Sequence, residues 1–371
     1  MKTSINDNSD VYYKGLYWND VTKVYKYICK NFKGDEKMGE KNSKMEYMKP
    51  PFCSVIVLNY NGEKFLKKTL ESVLALDYSK SDYEIIVVDN ASKDKSAEII
   101  HELARPNGPL LTYEVKNGPS ISSILLQKNI GFAGGNNIGI KQANGKYVTL
   151  LNNDCTVDKN WLKELVGVAE KDEKIFAVNS KIYLGNTNKI QNAGIRIFAN
   201  GYAQDIGAIP NNKIQDYEED RGQYDKEREV DAACGAAVLY RKSILDKIGL
   251  LDGSFFLYYE DVEISERAKK QGYKIIYTPK ATVHHLHAAS SNEWSPFFIY
   301  HSERGRLLHM IFHFPLLVFL KEYLKFFAKS ILRLGYGAKH PKRFTQQLQY
   351  IKVSLYFILH LPVLLSKRLT H

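Results

Sequence analysis

The chain has 371 residues, of which 44% are hydrophobic and 25% charged. That balance excludes wholesale disorder, and 24 Gly and 11 Pro exclude collagen-like or low-complexity character. The four cysteines are far apart with no Cys-x-x-Cys pair, which argues against a zinc ribbon or dithiol motif and suggests a reducing compartment. Net charge is +11, but residues 300–371 carry 12 Lys and Arg against two acids. The rest is therefore nearly neutral, and a basic tail suits an anionic membrane surface or nucleic acid.

Residues 1–50 are polar and Lys-rich, with a short helix expected at Asp20 to Phe32 and a linker ending at Pro50-Pro51. No apolar signal-peptide core is expected there. The sequence predicts a main domain over 51–300. Ser54 to Asn59 (SVIVLN) has the apolar run of a strand buried on both faces, and a helix with Phe65, Leu66, Leu70, Val73 and Leu74 on one side follows. Glu84 to Val88 is a second such strand, closed by Asp89, and Ser92 is the expected cap of the next helix. A further unit spans Ser122 to Lys141, and Tyr147 to Leu151 is another buried strand, ending in Asn152-Asn153-Asp154. This alternation predicts an α/β fold with a doubly wound, mostly parallel sheet, whose ligands sit beyond the carboxyl ends of the strands. Ile182 to Glu229 is polar and rich in Gly and Asn, and reads as loops with a short hairpin. Val230 to Leu245 reads as strand then helix, and Lys274 to Tyr277 as a strand.

Several polar clusters could carry chemistry. Asp89 is either a helix cap or a carboxylate for a nucleotide base. Asn129 to Gly139 (NIGFAGGNNIG) reads as a Gly-rich loop, either an ordinary turn or a place where backbone approaches phosphate. Asp154 is a strand-end turn residue or a hard ligand for Mg2+ or Mn2+. Glu260-Asp261, behind the aromatic run FFLYY, is a dipole-favoured helix start or a shielded general base. His284, His285 and His287 are surface residues or include a metal ligand.

In order, VIVLNYNG, IIVVDNASKD, NIGFAGGNNIGI, LLNND, CGAAVLYRKS, FFLYYEDVEIS and ATVHHLHAASS resemble the family 2 glycosyltransferases of GT-A fold, most of all a rhamnosyltransferase-like branch. The resemblance covers about Pro51 to Ser291. It implies that Tyr60 stacks on the nucleotide base and Asp89 hydrogen-bonds it, and that Asn129, Gly134 and Gly135 line the donor pocket. It also implies that Asn152-Asn153-Asp154 replaces the D-x-D metal motif, with one carboxylate fewer. Asp261, beside Glu260, would be the general base, and His285 would join Asp154 on the metal. The implied activity is inverting transfer of a sugar from dTDP-rhamnose or a UDP-hexose to a growing or lipid-linked glycan, in the cytoplasm at the inner face of the cell membrane. A nucleotide-binding oxidoreductase on a Rossmann-like sheet and an inactive glycosyltransferase-like scaffold stay open as alternatives. The first is disfavoured because no G-x-G-x-x-G follows the first strand.

The tail, 301–371, is expected to be helical. Its best apolar run, Leu307 to Leu320, is too short to span a bilayer. Lys321, Lys325, Lys329 and Arg333 recur every four residues and form one stripe on a helix that Gly335 and Gly337 should end. Ile351 to Leu365 is a second apolar segment. Two interfacial helices on an anionic membrane are the expected use, and packing on the catalytic domain or a homodimer interface is the alternative. Long aliphatic runs among the charges argue against nucleic acid.

Overall fold

In the computed structural model the described residues are 52–103, 111–114, 119–209, 216–286 and 294–369. The expected N-terminal extension, with its helix at Asp20 to Phe32, lies outside them, as does His287. Pro50–His371 form one compact unit. The chain runs β1 (Cys53–Asn59), α1 (Leu66–Leu74), β2 (Tyr83–Asp89), α2 (Ser96–Leu103), β3 (Leu111–Glu114), β4 (Ser120–Leu125), α3 (Gly131–Gln142), β5 (Tyr147–Asn152), β6 (Cys155–Val157), α4 (Trp161–Ala169) and β7 (Ile175–Leu184). The short strands β8 (Lys189–Asn192), β9 (Ile195–Ile197), β10 (Ala203–Asp205), β11 (Ala208–Ile209), β12 (Asp216–Glu219) and β13 (Arg228–Glu229) follow. Then come β14 (Ala237–Arg241), α5 (Lys242–Ile248), α6 (Glu260–Lys270), β15 (Lys274–His285), α7 (Pro296–His313), α8 (Leu316–Lys339) and α9 (Pro341–Arg368).

The main sheet has the order β11-β12-β8-β7-β14-β5-β1-β2-β4-β3, with β15 branching from β7. Its centre, β4-β2-β1-β5, is parallel, and β14 is inserted antiparallel between β5 and β7. Both faces of the centre are covered, as a parallel sheet requires. Val55 and Val57 of β1 pack with Leu66, Leu70, Trp161 and Leu165, whereas Ile56 packs on the other face with Ile140, Ile244, Leu245 and Ile264. Each such side chain contributes about 1.5–3 kcal/mol by burial. The expected α/β class and mostly parallel centre are therefore present.

Four local expectations change. The Gly-rich segment is not a loop: Gly131–Gln142 is the helix α3. Added Cβ atoms at Gly135 and Gly139 would lie 2.4 Å from Leu58 Cδ1 and 2.6 Å from Ile56 Cγ2. These glycines let α3 sit directly on β1, and that packing outweighs the roughly 1 kcal/mol each costs in a helix. Ser92 does not cap α2, which starts at Ser96; Asp94 Oδ1 accepts from the Ser96 N–H instead. The 182–229 segment is strand-rich, because β8 pairs with the end of β7 and widens the sheet. Gly194 (φ 102°) and Gly207 (φ 115°) turn the chain between its short strands. Lastly, β15 reaches His285, much further than Tyr277.

Helices α7–α9 surround a third apolar cluster with Phe255, Leu307, Leu308, Ile311, Phe319, Val353 and Phe357. Helix α8 does not break at Gly335 and Gly337 but continues to Lys339. A Cβ at Gly337 would be 3.0 Å from Gln347 Cβ, so the glycine brings α9 close and the break falls at His340-Pro341. Against expectation, one described helix, α9, is long and apolar enough to cross a membrane by length and composition; 28% of its most apolar stretch is buried.

Candidate active site

The carboxyl ends of β1, β2 and β5 meet in register: Asn59 lies beside Asp89, and Leu58 beside Asn152. Buried polar ends must be satisfied, and here they satisfy one another. Asn59 Nδ2 donates to Asp89 Oδ1 at 2.8 Å, and Asn153 Nδ2 donates to Asn59 Oδ1 at 2.7 Å. Ser92 donates its hydroxyl (2.6 Å) and backbone N–H (3.0 Å) to Asp89. Gly62 is packed so tightly over this group that a Cβ would lie 2.2 Å from both Asn59 and Asn153. Asp89 is thus buried and engaged with its own loop. Tyr60, beside it, is exposed. Asn129 Oδ1 accepts from the Gly131 N–H at 2.8 Å and from Asn90 Nδ2 at 3.1 Å, and so caps α3 and ties it to the end of β2. Gly135 faces Leu58, and Gly134 faces Ile130 of its own turn.

Beyond β5 the chain turns at Asn152-Asn153-Asp154 into β6, which pairs with β15 so that Cys155 lies opposite His285. Successive residues of a strand point to opposite faces. His284 stacks on Tyr183, while His285 points inward with its Nε2 3.1 Å from Asp154 Oδ1. Both are buried. His285 Nδ1 lies 3.0 Å from Gln191 Oε1, a buried acceptor on β8. With Nδ1 as the donor to Gln191, Nε2 and the Asp154 carboxylate both turn lone pairs toward the space between them, as two ligands of one cation would. Asn152 Nδ2 is 3.5 Å from the same nitrogen. Asp154, Cys155 and His285 have ligand atoms within 4.8 Å of one another. Burial raises the Cys155 thiol well above its ordinary pKa, and its Sγ lies 3.7 Å from Ala236 O, so it stays a thiol and a poor ligand. One carboxylate and one imidazole with an amide nearby fit a hard or borderline divalent ion. Gln191 was hidden within the segment read as loops.

Glu260 and Asp261 open α6, behind a turn in which Phe256 (φ 64°), Tyr258 (φ 68°) and Tyr259 (φ 73°) all adopt the left-handed conformation. Each costs about 1–3 kcal/mol and persists only under constraint. Asp261 is half-buried; its Oδ2 accepts from the Gly235 N–H at 2.9 Å and its Oδ1 from the Val262 N–H at 2.8 Å. Burial raises its pKa, and the two N–H donors oppose the rise. Glu260 is buried deeper, and burial followed by the neighbouring Asp261 charge pushes its pKa well above the usual carboxylate range. Glu260 Oε2 has no hydrogen-bond partner among the described residues. Both carboxyls are thus pushed toward the protonated form, Glu260 the more strongly because it is buried deeper, whereas Asp261 accepts two N–H bonds that favour its charged form.

The two clusters share a strut. Gly235 N–H holds Asp261, and the next carbonyl, Ala236 O, accepts from the Asn152 N–H at 2.9 Å. Upstream, Cys234 N–H donates to Asn179 Oδ1, and Asn179 Nδ2 donates to Asn192 Oδ1, one residue from Gln191. The base candidate, the Asp154 turn and the histidine support thus belong to one hydrogen-bonded framework at the ligand edge of the sheet.

A mostly parallel sheet with polar strand ends, one inserted antiparallel strand and an adjoining acid pair has the features expected of a GT-A fold. Residues 54–249 match the family described as Glycosyl transferase family 2, and the chain belongs to that family. It is 29% identical over 222 residues to the poly-beta-1,6-N-acetyl-D-glucosamine synthase of Staphylococcus aureus strain COL, covering 60% of this chain and 47% of that protein. The synthase of the same name from Staphylococcus epidermidis is 28% identical over 238 residues, 64% of this chain and 50% of the other. The chain thus spans about half the length of these relatives. Among solved structures, GalNAc-T7 with UDP, GalNAc and Mn2+ aligns with a TM-score of 0.56 at 17% identity, covering 83% of this chain and 57% of that one, which supports the fold. Family membership removes the oxidoreductase alternative.

Proposed function

We propose that the chain transfers a sugar from a nucleoside-diphosphate sugar to a hydroxyl of a growing or lipid-linked glycan, with inversion at the anomeric carbon. Residues 51–300 would be the catalytic part. The observation that carries the reading is the strut: one backbone segment, 235–236, holds the Asp261 carboxylate with its N–H and the Asn152-Asn153-Asp154 turn with its carbonyl. Asp261 accepts the acceptor hydroxyl proton as that oxygen bonds to C1, and the bond from C1 to the diphosphate oxygen breaks on the opposite face. Asp154 and His285 would hold a divalent cation, Mg2+ or Mn2+, with Gln191 orienting the histidine. When bound, such an ion supplies charge neutralisation to the leaving diphosphate. Tyr60 and Asp89 would meet the nucleotide base, and Asn129, Gly134, Gly135, Asn152 and Asn153 would line the rest of the donor pocket. The donor would be dTDP-rhamnose or a UDP-hexose; the N-acetyl-D-glucosamine polymer in the relatives' name favours a sugar of the glucose type over rhamnose.

The tail, 301–371, would place this site at the inner face of the cell membrane. Leu317 (81% exposed), Leu324, Ile331, Leu355, Leu359 (75%) and Val363 lie on the outer sides of α8 and α9, away from the inner cluster, with Lys321, Lys325 and Lys329 beside them. An apolar face flanked by cations suits an anionic surface. Helix α9 is tied at its end to the catalytic part through Lys367 and to α7 through Arg368, which favours lying on the bilayer over crossing it. A second copy on the same face would make a homodimer instead.

Asp261→Asn is the test. Transfer should fall by roughly 10²–10⁴-fold, while the donor still raises the melting temperature in Mn2+ or Mg2+. Near-normal turnover in the variant would remove the base, and a wild type that turns over neither donor would leave the inactive scaffold.

A further inference from the structure

The turn that presents Asp261 is strained, and the C-terminal helices supply several of the groups that hold it. Arg304 of α7 is buried and its guanidinium donates to Phe255 O at 2.6 Å. Gly305 of the same helix lies so close that a Cβ would sit 2.8 Å from Tyr258 O and 3.0 Å from Tyr259 Cβ. His301, one turn earlier, stacks on Phe256 with ring centroids 5.2 Å apart. The last turn of α9 reaches the start of the same segment: Lys367 Nζ donates to Asp252 Oδ1 at 2.6 Å and to Ser254 Oγ at 3.0 Å. From the other side, Phe256 O accepts from the Phe132 N–H of α3 at 2.6 Å, and Tyr259 Oη accepts from the Ala203 N–H at 3.0 Å. Three non-glycine residues in the left-handed region within four positions persist only where surroundings over-determine them. Here those surroundings are α7 and the end of α9 on one side and α3 and β10 on the other.

We propose that these helices are a clamp on the 252–259 turn, with Arg304, Gly305 and Lys367 as positioning residues for Asp261. The proposal rests on the reading of Asp261 as general base. Tyr259 is the residue before α6, and Glu260 and Asp261 are its first two residues. A turn that relaxes toward ordinary backbone angles rotates the first turn of α6 and moves the carboxylate off the Gly235 N–H. The proposed donor residues at the β1, β2 and β5 ends lie outside this turn, whose tie to the donor side is the Phe256 O bond to the Phe132 N–H of α3, away from the 252–254 end that Lys367 holds. Loosening the clamp therefore lowers the rate of the chemical step and leaves donor affinity. The tail has in this view two separate tasks on two faces, the inner one catalytic support and the outer one docking.

The test uses the full-length protein and steady-state release of nucleoside diphosphate from whichever of dTDP-rhamnose or a UDP-hexose the wild type turns over, in Mn2+ without vesicles. Lys367→Met should lower kcat about 10- to 100-fold, the range expected when a catalytic group shifts by about 1 Å. Its donor KM should stay within about twofold, and Lys367→Arg, which can still reach Asp252, should recover most of the rate. Rates are taken per folded molecule, well below each variant's melting temperature, so that lost stability does not count as lost positioning. Asp261→Asn is measured alongside. Wild-type kcat in Lys367→Met while Asp261→Asn is inactive overturns the clamp and leaves the base in place. A raised KM with unchanged kcat also overturns it. Full turnover in Asp261→Asn overturns the base reading, and the clamp falls with it.

Discussion

His309 of α7 makes a sharp stability prediction. It is fully buried, and neither ring nitrogen has a hydrogen-bond partner among the described residues. Its ring sits among His313 (centroids 5.3 Å), Phe314 (5.4 Å) and Tyr259 (6.2 Å). Burial, then the neighbouring His313, push its pKa from 6.5 down to about 3; Glu263 pulls the other way, and Lys270 adds a smaller push down. The native histidine is therefore neutral. As the pH falls through 6.5 the unfolded chain takes up a proton that the folded one refuses, so stability present above 6.5 is lost progressively down to about pH 3. One proton taken up by only one state changes stability by about 1.4 kcal/mol per pH unit. Between pH 6.5 and 4.5 His309 alone should cost about 2 kcal/mol. His309→Leu removes this loss, and at pH 7.5 it should be neutral or stabilising by about 1 kcal/mol, because two unsatisfied buried polar atoms disappear. His313, also lowered by burial, is retained in both proteins and keeps some slope, so the decisive quantity is the difference between two curves. Urea denaturation followed by tryptophan fluorescence at pH 7.5, 6.5, 5.5 and 4.5 supplies it. Parallel curves for wild type and variant would refute the reasoning.

Two further outcomes are expected. Gln191→Leu should raise the Mn2+ concentration needed for half-maximal activity about 10- to 100-fold by releasing His285 Nδ1; an unchanged metal titration would separate Gln191 from the metal. In flotation with anionic vesicles at low salt, the wild type should float and Leu324→Asp/Leu359→Asp should not, since both leucines sit on the outer apolar face; flotation of the double variant would move the docking surface elsewhere.

The central fold was legible because β1, β2 and β5 are buried on both faces and so appear as uninterrupted apolar runs. A polar residue that ends such a run stands at the ligand edge by geometry alone, which is why Asp89 and the Asn152-Asn153-Asp154 turn could be placed. His285 was separable from His284 only in principle: alternation says that they face opposite ways, but which one faces inward depends on the pairing of β15 with β6 and β7. Gln191 carried no local signal. Its strand is four residues long in a polar segment, and it exists because β7 offers an edge to pair with. The glycines misled for the same reason. Gly135, Gly139 and Gly337 look like breaks in sequence, whereas each marks a helix brought against a strand or another helix. Local propensity prices a glycine at about 1 kcal/mol, and the contact it permits is invisible until the partner is known.

The tail shows the limit of periodicity most clearly. A helix that packs on one face and meets water on the other has one apolar stripe, and its period identifies the buried side. In α8, Phe319, Phe326 and Ser330 point into the inner cluster while Leu317, Leu324 and Ile331 point out; in α9, Val353 and Phe357 point in while Leu355 and Leu359 point out. With two apolar sides the stripe cannot say which one the protein buries. Only the lysine row at 321, 325 and 329 breaks the symmetry, because charge flanks the outer face and none of these three is buried. The clamp proposed for the 252–259 turn draws on α7 and the end of α9, whereas the outer apolar residues lie on α8 and α9, so α9 alone would meet both demands. A helix with an apolar side left open carries more apolar residues than its own packing requires, and that surplus is what the sequence displays at 316–324 and 355–365.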